Sequence, residues 1–155
     1  MIRRLLWRAR LLFLRFLGRE PPRLAILVPP SPEEVRRRLH DRLFQVARRM
    51  RLPVLPYPAQ KMVHEGTPCA GQYRHGAIRY VRIHEGYLDC PWVLAHEIGH
   101  ARVCAGGYRA HAESDADREA LAICRQLLLP HELAVVEGEM RAALDGSGTT
   151  PARTS

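Results

Sequence analysis

Residues 93–101 read Val93-Leu94-Ala95-His96-Glu97-Ile98-Gly99-His100-Ala101, and the rest of the chain is best read outward from them. His96 and His100 stand four positions apart. On a helix that spacing projects both imidazoles from one face, one turn apart, as two ligands of a single tetrahedral zinc require. Glu97 adjoins the first histidine, where a carboxylate can act on water beside the ion as a general base without being a ligand. Val93, Leu94, Ile98 and Val103 give such a helix apolar packing, and Asp89 or Cys90 ahead of Pro91 gives it a start.

The chain carries its own controls. His64-Glu65, His84-Glu85 and His131-Glu132 are His-Glu pairs without the second histidine, so the dipeptide alone means little here. A third ligand separates 96–100 from them. Glu113-Ser114-Asp115-Ala116-Asp117 follows within one short, glycine-bearing connection, residues 104–111. Glu113 and Asp117 share a face on a helix, so the glutamate can close a His₂Glu site. The aspartate can then take the outer ring N–H of a ligand histidine. Glu113 leads as third ligand, with His111, Asp117 and Asp115 as rivals. A metzincin pattern fails, since it needs glycine and histidine where this chain has Val103 and Gly106. Oxyanion donors would come from Tyr73, His75, Tyr108 or His131, which the sequence does not rank.

The 155 residues suit one compact domain, and 46% hydrophobic with 26% charged residues is the balance of a folded soluble protein. No apolar run reaches the ~18 residues of a membrane-spanning helix. The four cysteines lack CxxC pairing, which points to free thiols in a reducing cytosol and not to a disulfide framework or zinc ribbon. The expected location is cytoplasmic. A net charge of +8 permits attraction to nucleic acid, anionic lipid or an acidic protein, and charge alone does not choose among them.

Residues 1–19 alternate leucine and aromatics with arginine and hold no acid. They read as a basic amphipathic helix able to lie on a membrane surface or dock on a partner protein. Residues 20–32 form a proline-rich linker. Ser31-Pro32-Glu33-Glu34 is a helix start with a capping box, and Val35, Leu39, Leu43, Val46 and Met50 recur at helical spacing as its core stripe. From 52 to 88, prolines and glycines punctuate short runs. In residues 78–83 apolar and arginine residues nearly alternate, as in a strand with one wet face on which a substrate could pair. Helices resume near 91, 113–129 and 131–144, and residues 145–155 are a polar, disordered tail. The expected fold is α+β, a small antiparallel sheet packed with helices, over a domain spanning 33–144.

The blocks Leu94-Ala95-His96-Glu97-Ile98-Gly99-His100, Glu113-x-x-Ala116-Asp117-x-x-Ala120 and Leu127-Leu128-Leu129-Pro130 together resemble the ImmA/IrrE family of metallopeptidases. Ala70-Gly71-Gln72-Tyr73 also resembles the family's glycine-tyrosine turn. The resemblance covers about residues 33–144. It implies a minimal zincin-like, gluzincin-type metallopeptidase with zinc on His96, His100 and Glu113 and Glu97 as base. It also implies a protein substrate, of which a helix-turn-helix transcriptional repressor is the first candidate. Two other readings fit the motif: a SprT-like protease of DNA-associated proteins, and a non-catalytic, metal-stabilised binding module.

Overall fold

The computed structural model describes residues 29–64, 67–105, 107 and 110–144. The expected amphipathic helix at 1–19, most of the proline-rich linker, Tyr108 and the tail at 145–155 lie outside the described residues.

Helix α1 spans Pro32–Arg49. Ser31 caps it, its Oγ accepting from the Glu34 backbone N–H at 3.2 Å, with Pro32 in the first turn where a missing N–H costs nothing. The Glu34 carboxylate does not close the box on Ser31; it pairs with Arg38 one turn on. The buried stripe is Val35, Leu39, Leu43 and Ala47, so Val46 and Met50 sit at its margin. The helix ends in a Schellman turn: Leu52 N–H bonds Ala47 C=O at 2.9 Å and Arg51 N–H bonds Arg48 C=O at 3.0 Å. That turn needs a left-handed residue, and Arg51 supplies it at φ 53°.

Strand β1 (Val54–Tyr57) leads through a short 3₁₀ turn at Ala59–Lys61 to a small hairpin of β2 (Val63–His64) and β3 (Thr67–Pro68). Strands β4 (Gly71–Arg74) and β5 (Tyr80–His84) follow. The main sheet has the order β1-β5-β4 and is mixed. β5 runs antiparallel to β4, with Tyr73 opposite Val81, and parallel to β1, with Leu55 opposite Arg82. The expected antiparallel sheet is thus corrected. Residues 58–79 form a connection long enough to return the chain in the same direction, as parallel pairing demands. β5 is also the central strand, hydrogen-bonded on both sides, so residues 78–83 are not the open edge on which a substrate could pair. Among the described residues the edge strands are β1 and β4. Alternation places Val81 and Ile83 inward and Tyr80, Arg82 and His84 outward, with the Arg82 guanidinium over the Tyr57 ring at 4.3 Å.

Helix α2 (Pro91–Val103) lies at the centre, against the sheet and against every other helix. It therefore buries residues around most of its circumference: Trp92, Leu94, Ala95, Ile98, Gly99 and Ala101 among them. Helices α3 (Glu113–Leu127) and α4 (Pro130–Leu144) complete the core with Ala116, Ala120, Ile123, Val136, Met140 and Leu144. No disulfide joins the four cysteines. Among the described residues no helix is long and apolar enough to cross a membrane.

One of the sequence controls has a structural role. Glu132 is fully buried. Its carboxylate takes a two-pronged contact from Arg42 at 2.6 and 3.2 Å and a backbone N–H from Leu129 at 3.0 Å. These donors favour the ionised form, the Arg42 bond most, and hold the Glu132 carboxyl down at about 2. The pair clasps α4 to α1.

Candidate metal centre

Two helices build the site. α2 carries His96, Glu97 and His100, while the first turns of α3 carry Glu113 and Asp117. They can meet because Gly99 faces Ala116: a Cβ on Gly99 would stand 2.3 Å from the Ala116 carbonyl oxygen. No other residue type allows the helices so close, and that spacing sets the reach from α3 to the imidazoles.

His96 Nε2 and His100 Nε2 lie 3.0 Å apart, and Glu113 Oε2 lies 3.1 Å from the first and 3.2 Å from the second. Three donors held tetrahedrally about 2.0–2.1 Å from one ion stand about 3.3 Å apart, so this triangle needs to open by only a few tenths of an ångström. His96, His100 and Glu113 could hold a metal ion. The outer contacts favour it. Asp117 Oδ1 lies 2.7 Å from His96 Nδ1, and an ionised carboxylate can only accept, so the proton sits on Nδ1 and Nε2 offers a lone pair. His100 Nδ1 lies 2.8 Å from His111 Nε2. Burial, with His96 beside it, pushes the His100 imidazole down to about 4, which keeps it neutral and able to ligate at physiological pH. With both Nε2 atoms free of a proton, two ring lone pairs and a carboxylate oxygen would meet within about 3 Å, a donor set of the size and chemistry a divalent ion takes.

Glu97 points the other way from solvent. It is 4% exposed and packs under β4, where a Cβ on Gly71 would meet its Oε1 at 2.5 Å. The Tyr73 backbone N–H donates to its carboxylate, while Oε2 is buried with no hydrogen-bond partner among the described residues. Burial first, and the Glu113 charge second, push the Glu97 carboxyl up to about 8. A buried carboxyl raised toward neutrality beside candidate metal ligands is a group suited to proton handling.

A cleft of about 1860 Å³ runs across the site, with His96, Glu97, His100 and Glu113 on its lining and Tyr73 and His75 along the β4 wall. Tyr73 Oη and His75 Nδ1 are 3.0 Å apart, and burial pushes the Tyr73 phenol up, which keeps it a donor. Two of the four expected oxyanion donors thus border the cleft. His131 does not: it is exposed in the first turn of α4 and absent from the lining, since Glu132 takes the inward position beside it. Sequence reasoning weighed His111 only as a rival ligand and gave Gly71 and Gly99 no role at the site. Helical spacing could have flagged Gly99, three positions after His96 on the packed side.

Comparison of the chain with protein-family models, with curated proteins and with solved structures gives no match.

Proposed function

We propose that this protein is a zinc-dependent metalloendopeptidase. The observation that carries the reading is the convergence of His96, His100 and Glu113 beside the buried Glu97. A zinc ion bound by those three residues would supply Lewis acidity, acidifying water and polarising a peptide carbonyl. The chain's own residues do the rest. Glu97 would take a proton from water and pass it to the departing amine, as a general base does once a cation on the three ligands favours its ionised form. Tyr73 and His75 stand ready to donate to the oxygen that gains charge. Asp117 keeps the His96 ring in its ligating tautomer.

A polymer substrate fits the cleft better than a small molecule, since small-molecule sites enclose about 300–1,000 Å³. β4, one edge of the sheet, borders the same cleft, so an extended segment can add to it as a strand. The resemblance to ImmA/IrrE proteins makes a helix-turn-helix repressor the first substrate to try. The test measures zinc content and peptide hydrolysis for wild type, Glu97→Gln and Glu113→Gln. The reading expects one zinc in wild type and Glu97→Gln, weakened zinc in Glu113→Gln, and hydrolysis by wild type alone. A well-folded wild type that takes up no zinc would overturn it.

A further inference from the structure

We infer that His111, just ahead of α3, is the positioning residue for His100 and so sets the orientation of a candidate metal ligand. The inference rests on the peptidase reading only in taking His100 as a ligand. If His100 Nε2 gives its lone pair to an ion, the ring proton must sit on Nδ1, and the group 2.8 Å from Nδ1 is His111 Nε2. His111 Nε2 must then accept, which places the His111 proton on Nδ1, 3.7 Å from Cys104 Sγ. The two imidazoles stack obliquely, with centroids 5.0 Å apart, so His111 contacts the ring as well as its proton.

The ends of this line have fixed places. Cys104 closes α2, its backbone N–H bonding the His100 carbonyl at 3.1 Å, and its side chain is fully buried. His111 directly precedes Ala112, the residue that opens α3. The chain leaves α2 at one end of the line and returns at the other. His100 is therefore oriented by the residue that directly precedes the start of α3, whereas His96 is oriented by α3 itself through Asp117. The two ligands differ in chemistry too: His96 leans on a carboxylate and His100 on a second imidazole.

The experiment compares wild type, His111→Gln and His111→Leu. It reads zinc affinity by competition with a chromophoric chelator, the cobalt-substituted absorption spectrum, and the melting temperature without metal. Glutamine keeps an acceptor near the Nε2 position and leucine does not. The expected result is a loss of about 10–100-fold in zinc affinity for His111→Leu and little loss for His111→Gln, the scale of outer hydrogen-bond effects on metal sites. The His111→Gln cobalt spectrum should keep the wild-type band shape. Equal affinity in wild type and His111→Leu, or equal loss in both variants, overturns the inference. So does an altered cobalt band in His111→Gln, which would make His111 a ligand, and that spectrum decides the matter even if His111→Leu fails to fold. Wild type that binds neither metal removes the peptidase reading as well, a distinct outcome.

Discussion

Gly99 and Ala116 touch backbone to backbone: a methyl group on Gly99 would fall 2.3 Å from the Ala116 carbonyl oxygen. Two helices are held at that spacing with a candidate metal ligand pair on one and a third ligand on the other. Gly99→Ala should push α3 outward and cost about 2–3 kcal/mol, the scale of overpacking a tight core. Divalent metal affinity should fall in the same variant, because Glu113 and Asp117 move with α3. Thermal unfolding and chelator competition check both effects, and a variant with wild-type metal affinity would refute the link between spacing and site.

Gly71→Ala separates chemistry from binding. The added Cβ would meet Glu97 Oε1 at 2.5 Å and displace the carboxyl without touching the three candidate ligands. Peptide hydrolysis should fall about 100-fold, the low end of what a positioned base contributes, while bound metal stays at the wild-type level. Loss of metal together with activity would show that Gly71 supports the whole site and not Glu97 alone.

Metal should stabilise the fold. Zinc at about 100 times its dissociation constant adds about 2.7 kcal/mol, which should raise the melting temperature on the order of 10 °C in a domain this size. Asp117→Ala should weaken zinc about 10–100-fold by releasing the His96 ring, so the same zinc concentration should raise its melting temperature less. Scanning calorimetry across a zinc titration checks both.

Glu132 provides a pH dependence remote from the metal centre. Its carboxyl is depressed to about 2 in the fold against an ordinary 4.5. The stability it contributes is therefore complete above pH 4.5 and is lost as pH falls from 4.5 toward 2. Glu132→Gln should cost about 3–5 kcal/mol at pH 7 and flatten that acid limb, since it leaves Arg42 without its charge partner. Urea titrations at pH 7 and pH 3 measure it. An equal loss at both pH values would mean that packing, not charge, is what the carboxylate supplies.

Arg51→Gly should stabilise the fold by about 0.5–1 kcal/mol. The Schellman turn keeps its two hydrogen bonds while the side chain's left-handed penalty disappears. Denaturant midpoints for the two proteins test this directly.

Much of this was legible in the residues. Ser31-Pro32 marked the start of α1, the apolar stripe its buried face, and the spacing of His96, His100, Glu113 and Asp117 foretold which side chains could converge. Each of those signals is local, or spans one short connection. The parallel pairing of β1 with β5 was not legible, because alternation says which face of a strand is buried and is silent about its neighbours. The weight carried by Glu132 was hidden for a similar reason. Its partner Arg42 is 90 positions away, and nothing around His131-Glu132 distinguishes a buried carboxylate from an exposed one. His111 was visible as a histidine near the site, but only the folded connection shows which nitrogen meets which ring.

The clasp between Arg42 and Glu132 also makes the fold divisible. It fastens the first described helix to the last, and α2 lies against α3 along its length, so both seams hold whether or not the backbone between residues 104 and 112 is continuous. A nick there would leave two fragments, one with both histidines and one with Glu113 and Asp117. Neither half alone has a complete triad, yet their cognate surfaces would bring them back together.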